Sequence, residues 1–373
     1  MKISRDHVFS ALSKITLPNG GKNIIESGAI KNVQVFGNDI EIDVEVSIPA
    51  LQYKKRVEKD CIDTVSKHIS DVGKIKINIS VKAPEKNIEI KGSSIPGVKN
   101  IVAISSAKGG VGKSTIAANF AVGLSTKGFK VGVIDADIYG PSMHIMFGLQ
   151  GSEPMSINVA GRTKIKPLEA FGVKLLSIGF FASTKQAVVW RGPMASKALN
   201  QLLWDTYWGE LDYLVVDLPP GTGDIHLSLV QSIPLTGAVV VSTPQDIALA
   251  DVKKGVNMFQ MKSINVPVIG VVENMSYFTP KELPNNKYYI FGKDGLKVLA
   301  DQMQLNLLAE IPLVQSVREA SDAGRPAVLQ NDTSISLSYL KMTDNIISAI
   351  TKRNTNLAPT KAVKLTNTKG CQK

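Results

Sequence analysis

Cysteine and long apolar runs are scarce in this chain of 373 residues. Its two cysteines, Cys61 and Cys371, lie far apart and outside any CxxC pair, so the sequence predicts neither a disulfide framework nor a self-contained zinc site. No segment reaches the ~18 consecutive apolar residues that a membrane-spanning helix needs. The N-terminus also lacks the apolar core of a signal peptide. From these absences we expect a cytoplasmic protein.

Acidic side chains are missing from the last part of the chain. Residues 352–373 carry six basic groups and no acidic one, which is more than half of the net charge of +11. The rest is nearly balanced, with 15 basic and 12 acidic groups in residues 1–98 and 22 and 20 in residues 99–351. This distribution favours a solvated basic terminus over an arm that binds polyanions. It therefore disfavours nucleic acid or a membrane as the main partner.

A small α+β domain is expected over residues 1–85, followed by a linker rich in polar residues, Pro and Gly over residues 86–98. Helical spacing and strand-like alternation fall, in chain order, at residues 6–15, 33–35, 40–48, 51–69 and 75–81. Two helical segments around alternating strands are typical of such a domain.

From residue 99 onward, short aliphatic runs alternate with helical segments. The runs lie at residues 101–105, 131–134, 173–178, 214–216, 238–241 and 268–272. Runs rich in Val and Ile that are separated by helices indicate a parallel sheet buried on both faces. We therefore predict an α/β domain with a mostly parallel sheet over residues 99–351. Residues 352–373 have no apolar periodicity and are expected to form a disordered basic tail.

The first of these runs leads into the loop SAKGGVGKST and then into a helical segment, which is the context that a P-loop needs. Its glycines let several backbone N–H groups point at phosphate oxygens, and the helix adds its positive end. Lys113 supplies a charge for the terminal phosphates, and Ser114 supplies a hydroxyl for Mg²⁺. The residues expected at the nucleotide are Ala107, Lys108, Gly109, Gly110, Val111, Gly112, Lys113, Ser114 and Thr115.

This loop departs from the general P-loop pattern at one position. The pattern has glycine six residues before the lysine, and this chain has Ala107 there. A glycine-rich turn without a ligand is the alternative, but the strand, the helix and the downstream carboxylates agree with a nucleotide site. We therefore predict ATP and Mg²⁺ as cofactors and P-loop ATP hydrolysis as the activity.

Carboxylates follow two of the aliphatic runs. Asp135 and Asp137 lie after one run, and Asp217 ends another before the loop LPPGTGD. Ligands bind at this carboxyl edge of a parallel sheet. Asp137 could orient the attacking water while Asp135 supports the metal, or Asp135 could only cap the next turn. Asp217 is expected behind Mg²⁺ through a water. Asn274, expected just past a strand end in VVENM, could reach adenine with its amide.

The form KGGVGKST resembles the deviant Walker A loop of the MinD, ParA, ArsA and nitrogenase iron protein class. The resemblance implies that Lys108 reaches the nucleotide of the other subunit in an ATP-bound homodimer. It also favours Asp137 as the water-orienting carboxylate and gives the adenine contact to Asn274. Lys108, Lys113 and Asp137 are thus the expected catalytic residues, and Ser114 and Asp217 the expected metal residues.

Four further motifs occur in order: WRGPM from Trp190, DLPPGTGD from Asp217, VSTPQDIALADVKKG from Val241 and ENMSYF from Glu273. With them the chain resembles the Mrp/ApbC family of ATP-dependent iron–sulfur cluster carriers over about residues 99–350. The leading domain also resembles the one that precedes this ATPase in bacterial members. The resemblance implies a homodimer that passes clusters, such as 4Fe-4S, between assembly scaffolds and apo iron–sulfur proteins.

One departure from that family concerns the cluster ligands. Its members usually follow ENMSYF with CxxC, whereas this chain has Thr279 and Pro280 there, so no ligand carries over. Cys61 reads as a small buried residue, and Cys371 could supply one thiolate per subunit across a dimer. The four histidines lack metal-ligand spacing and are expected to be structural. A positioning ATPase like ParA or MinD, and a regulatory scaffold that binds no cluster, are the alternative functions.

Overall fold

The computed structural model describes residues 3–16, 23–46, 51–81, 95–181, 192–223, 226–227, 230, 233–262, 264–280, 282–283 and 285–360. The chain forms two compact units, one of residues 1–88 and 127–129 and the other of residues 89–126 and 130–373. Within the described part, no helix is long and apolar enough to cross a membrane.

The leading unit is a three-stranded sheet covered by two helices. Its elements are α1 (Arg5–Leu12), β1 (Ile30–Phe36), β2 (Asp39–Val46), α2 (Leu51–His68) and β3 (Ile75–Val81). Strand β2 lies in the middle, antiparallel to β1 and parallel to β3. Alternate residues of β2 are buried, and they share one core with Val57, Cys61 and Val65 of α2. The four-residue spacing of these three side chains places them on one face of the helix.

The second unit is built on an eight-stranded sheet. The strands of this unit are β4 (Val98–Ser105), β5 (Val131–Asp135), β6 (Met155–Val159), β7 (Arg162–Lys166), β8 (Leu168–Ala170), β9 (Val173–Ser177), β10 (Leu211–Asp217), β11 (Gly237–Ser242), β12 (Val268–Phe278) and β13 (Leu307–Leu313), of which β6 and β7 form a separate two-stranded sheet. Its α-helices are α3 (Lys113–Thr126), α4 (Met143–Met146), α5 (Gly192–Asp205), α6 (Asp246–Gln260), α7 (Gly295–Gln302), α8 (Gln315–Asp322) and α9 (Ser334–Asn356).

The strand order is β13-β12-β11-β4-β10-β5-β9-β8, and every neighbouring pair is parallel except β8 with β9. All residues of β5 and β11 are buried, as expected of strands that helices cover on both faces. The predicted α/β class with a mostly parallel sheet is therefore confirmed. The loops after β4, β5 and β10 leave three adjacent strands at the same carboxyl edge, where ligands bind in such sheets.

The structure differs from the sequence-based expectation at four places. Strand β13 and the exposed β6–β7 hairpin were not predicted, because neither has a continuous aliphatic run. Helix α9 continues to Asn356, so residues 352–356 are helical and the predicted start of a disordered tail at residue 352 was wrong. Asn274 lies inside β12, not past its end, because β13 extends the pairing as far as Phe278.

Candidate nucleotide-binding site

Residues 106–112 connect β4 to α3 and form a cradle of backbone amides. Gly110 and Gly112 both have a φ of +82°, which is left-handed backbone that strains any side chain. A Cβ on Gly112 would also collide with Nδ2 of Asn274. Within the described part of the chain, the N–H groups of residues 107–112 donate to no protein acceptor. Free amides beside the first turn of a helix form a site for an anion such as phosphate.

Ala107, the departure from the general pattern, faces a glycine on a neighbouring helix. A Cβ on Gly255 of α6 would stand 3.4 Å from the Cβ of Ala107. The methyl group of Ala107 would therefore be in contact with any side chain at position 255.

Four side chains meet at the start of α3. The ammonium of Lys113 donates to Asp217 Oδ1 at 2.6 Å and to Ser114 Oγ at 3.1 Å, and it stands 3.7 Å from Asp137 Oδ2. Ser114 Oγ donates to Asp217 Oδ2 at 2.6 Å. Lys113 is 6% exposed and Asp217 is fully buried. The structure thus brings together four of the side chains that the sequence assigned to phosphate, metal and water.

Burial shifts the titration of the carboxylates at this edge. It raises the pKa of Asp217, while the ammonium of Lys113 and the hydroxyl of Ser114 act in the opposite direction. It also raises the pKa of Asp135 to about 7, with a further contribution from the nearby charge of Asp217. Because Lys113 lowers the pKa of both groups, it is the cation that favours their ionised forms.

Asp135 organises the loop that carries Asp137. Its Oδ2 accepts from the N–H groups of Ser142 and Met143 at 3.0 Å and from the hydroxyl of Ser177 at 2.8 Å. Its Oδ1 accepts from the N–H of Asp137 at 3.2 Å. These bonds favour the capping alternative over metal support for Asp135. Among the described residues, the carboxylate of Asp137 accepts one hydrogen bond, from the N–H of Gly140 at 3.3 Å.

Asn274 closes the cradle from the neighbouring strand β12. Its Nδ2 donates to the carbonyl oxygen of Val111 at 2.9 Å, and the residue is 5% exposed. The preceding Glu273 accepts from the N–H of Leu296 at 2.9 Å, and burial raises its pKa. The sequence suggested an adenine contact for Asn274, which stays a prediction. The bond to the phosphate loop has no sequence signal, since the two residues are distant in the chain.

His226, which sequence reasoning classed as structural, lies behind the same loops. Its Nδ1 is 3.1 Å from the carbonyl oxygen of Pro219, and its Nε2 is 3.5 Å from Ser105 Oγ. A carbonyl only accepts, so Nδ1 carries the proton and Nε2 accepts from the serine hydroxyl. Burial lowers the pKa of His226 to about 4, and the charge of Lys113 acts in the same direction. The ring is therefore neutral near neutral pH.

This neutral histidine predicts a loss of stability in mild acid. The pKa is about 4 in the folded protein against an ordinary value of 6.5, so the stabilisation is complete above pH 6.5 and is lost as the pH falls toward 4. We expect the free energy of unfolding to fall by about 1 kcal/mol more in wild type than in His226→Phe between about pH 6 and pH 5. Denaturant titrations at both pH values measure this difference. An equal change in the free energy of unfolding of the two proteins between these pH values would contradict the prediction.

The oxygen donors at the site suit magnesium. Ser114 Oγ and the carboxylate of Asp217 are hard ligands of the kind that Mg²⁺ prefers. Among the residues that the structure describes, no group of three or more His, Cys, Asp or Glu side chains could hold a metal ion. The phosphate oxygens of a bound nucleotide would complete the coordination of an ion held by Ser114 and Asp217.

Among the described residues, cysteine provides no cluster site. Cys61 is fully buried in the core of the leading unit, and burial raises the pKa of its thiol to about 12. Such a thiol stays protonated and is a poor ligand. Cys371 lies outside the described residues, as do Trp190 and Arg191 of the WRGPM motif. Thr279 follows directly after β12 and carries no thiolate.

Comparisons with known proteins agree with this geometry. The profile of a family described as "NUBPL iron-transfer P-loop NTPase" matches residues 97–347, and that of a family described as "Iron-sulfur cluster assembly protein" matches residues 5–84. An iron-sulfur cluster carrier protein of Aquifex aeolicus is 41% identical over 372 residues, which covers 94% of this chain and 99% of the relative. One of Escherichia coli is 48% identical over 257 residues, with 69% of this chain and 68% of the relative covered.

A solved structure is also similar. It is a nucleotide-binding protein of Archaeoglobus fulgidus in complex with ADP, with 35% sequence identity and a TM-score of 0.54. The match covers 61% of this chain and 88% of the solved one.

Proposed function

The chain belongs to the NUBPL iron-transfer P-loop NTPase family, and from this premise we propose that it binds and hydrolyses ATP to deliver iron–sulfur clusters to apoproteins. The observation that carries the proposal is that Lys113, Ser114 and Asp217 are hydrogen-bonded to one another beneath a loop of free backbone amides. Relatives at 41% and 48% identity are named iron-sulfur cluster carrier proteins. The hydrolysis is Mg²⁺-dependent and slow, and the protein acts in the cytoplasm.

Each residue has a distinct task in this proposal. The amides of residues 107–112 and the ammonium of Lys113 bind the phosphates, and Lys113 exchanges part of its contact with Asp217 for them. Ser114 binds Mg²⁺ directly, while Asp217 holds it through a water. Magnesium, when bound, neutralises charge that develops on the phosphates. Asp137 orients the attacking water, and Asn274 adds the adenine contact.

Removal of the Asp137 carboxylate should slow hydrolysis and spare binding. Among the described residues, its Oδ1 accepts one hydrogen bond, from the N–H of Gly140, while its Oδ2 stands 3.7 Å from the ammonium of Lys113 and accepts none, so Oδ2 can accept a hydrogen bond from a water. We expect Asp137→Ala to lower kcat about 100-fold, the scale of a lost general base or water-orienting group. The affinity for Mg·ATP should stay within about twofold, because the amide cradle is intact.

Asp212→Asn is the matched control. Asp212 lies at the opposite end of β10 from Asp217, where it pairs with Lys99 at 2.8 Å. Steady-state hydrolysis and calorimetry with Mg·ATP should give wild-type values for it. Unchanged kcat in Asp137→Ala would remove Asp137 from the mechanism.

Cluster delivery is the part of the proposal that needs a direct assay. We expect ATP to stimulate cluster transfer from an assembly scaffold to an apoprotein in the presence of this protein. Lys113→Ala should abolish the stimulation. The assay is the anaerobic recovery of the apoprotein's cluster absorbance, and no ATP-dependent gain over the scaffold alone would reject delivery.

Iron that stays bound after anaerobic reconstitution and desalting identifies direct carriage. Cys61→Ser is the matched control for Cys371→Ser, since the Cys61 thiol is buried and protonated. Iron lost in Cys371→Ser and kept in Cys61→Ser would assign the ligand to Cys371. No bound iron together with intact hydrolysis would favour the second candidate, a regulatory scaffold that binds no cluster. The observation behind that candidate is the absence of a thiolate at Thr279 and Pro280.

The proposed assembly is a homodimer around ATP whose partners are apo iron–sulfur proteins and assembly scaffolds. The leading domain, which we place at residues 1–85, matches a family described as iron-sulfur cluster assembly protein. We propose that it provides the contact with such partners. The ATPase domain occupies residues 99–351 in this assignment, after a linker over residues 86–98.

A further inference from the structure

The loop after β10 is bonded to the start of the phosphate loop. The N–H of Gly221 donates to the carbonyl oxygen of Ser106 at 2.8 Å, and the N–H of Leu218 donates to that of Ile104 at 3.0 Å. Gly221 has a φ of +96°, a backbone conformation that favours glycine. The segment 218–223 begins directly after Asp217, so it adjoins the carboxylate that accepts hydrogen bonds from Lys113 and Ser114.

His226 makes the second connection between the same two segments. Nδ1–H donates to the carbonyl of Pro219 in the segment after β10, and Nε2 accepts from Ser105, the last residue of β4. The residue is 2% exposed, and its ring stands edge-on to Phe259 of α6 at 5.8 Å. Each ring nitrogen thus has a partner on a different side of the site.

We propose that His226 is a positioning residue of the ATPase site, which holds the segment 218–223 against the start of the phosphate loop through Pro219 and Ser105. This inference rests on the proposed ATP hydrolysis. Among the described residues, no hydrogen bond joins the histidine to the phosphate-binding amides or to Lys113, so we expect it to act through the placement of Asp217. A buried carbonyl without a hydrogen-bond donor is energetically costly, so without His226 the carbonyl of Pro219 would draw the segment 218–223 toward another donor. Misplacement of catalytic groups by about 1 Å can cost up to about 100-fold in rate.

Two variants separate the hydrogen bond from core packing. His226→Phe keeps a ring against Phe259 but has no donor for Pro219, whereas His226→Asn retains an amide N–H near the position of Nδ1. We expect His226→Phe to lower kcat about tenfold with KM for ATP within about twofold. His226→Asn should recover most of kcat. Phe259→Leu is the packing control, which should lower the melting temperature and leave kcat near wild type.

Hydrogen exchange provides a readout that does not depend on turnover. In His226→Phe, the hydrogen-bonded amides of Leu218 and Gly221 in one segment, and that of Ser105 at the end of β4 in the other, should exchange faster than in wild type, while those of β13 should not change. Loss of kcat in His226→Phe that His226→Asn does not restore, or unchanged exchange in both segments, would overturn the positioning role. If wild type itself does not hydrolyse ATP, the proposed function fails, and the exchange comparison alone decides whether His226 joins the two segments.

Discussion

Lys113→Ala should lower the affinity for Mg·ATP by at least about 100-fold. Among the described residues, Lys113 is the only lysine whose ammonium is buried beneath the phosphate loop. Hydrogen bonds to charged groups contribute roughly 1.5 to 3 kcal/mol each, so two such bonds to phosphate oxygens account for this loss. Calorimetric titration with Mg·ATP measures it. The remaining amide cradle and Ser114 should give at most weak binding.

The same substitution should destabilise the protein without nucleotide. Lys113 and Asp217 are 2.6 Å apart and almost entirely buried, so the alanine variant leaves a buried carboxylate without its cation. Breaking a buried ion pair from one side costs roughly 3 to 5 kcal/mol. Burial already raises the pKa of Asp217, and the variant should raise it further and make the carboxylate take up a proton.

The double variant Lys113→Ala with Asp217→Asn separates the two effects. It removes both charges, so thermal unfolding should recover most of the lost stability, while ATP binding should stay absent. A folded Lys113→Ala protein that still binds Mg·ATP with wild-type affinity would reject the phosphate role of the lysine. Equal melting temperatures of the single variant and wild type would instead show that the ion pair contributes nothing to folding.

The fold and the phosphate loop were predictable because their signals are local. The loop SAKGGVGKST is contiguous, and its strand and helix adjoin it, so the free amides and the Lys113 position follow from one stretch of sequence. Strands such as β5 and β11 are buried on both faces and therefore appear as unbroken aliphatic runs. The same logic fails for β13, which is a partly exposed edge strand that contains Pro312.

Contacts between distant segments were not predictable in the same way. Asn274 reaches Val111 across 163 positions of the chain, and His226 reaches Ser105 across 121. Neither residue has a spacing signal, because only the folded parallel sheet brings these distant segments together. The fit of Gly255 against Ala107 is of the same kind. Sequence reasoning thus named the side chains that meet at the start of α3 and missed the hydrogen bonds by which Asn274 and His226 join distant segments.

Lys108→Ala should prevent ATP-dependent dimerisation while sparing ATP binding. The lysine lies on the same loop as Lys113 but is partly exposed, and among the described residues its ammonium has no hydrogen-bond or ion-pair partner. Around the adjacent Gly109 and Gly110, a Cβ would meet no atom within 4 Å. A flexible cation at such an open surface can reach a nucleotide in a second subunit, as the resemblance to the deviant Walker A class implies.

The dimer is best measured where ATP is not consumed. In an Asp137→Ala background, light scattering with saturating Mg·ATP should report a dimer, and adding Lys108→Ala should return it to monomer. Because ATP binding and dimerisation are thermodynamically coupled, the ATP affinities are compared at a protein concentration too low for dimers to form, where they should differ by less than about twofold. Lys254→Ala is the matched control, because Lys254 is an exposed lysine that pairs only with Asp251 on its own helix. If Lys108→Ala dimerises as strongly as its parent, the lysine acts within its own subunit. A loss of kcat in that variant would then reflect a lost contact between Lys108 and the phosphates of the nucleotide bound to the same subunit.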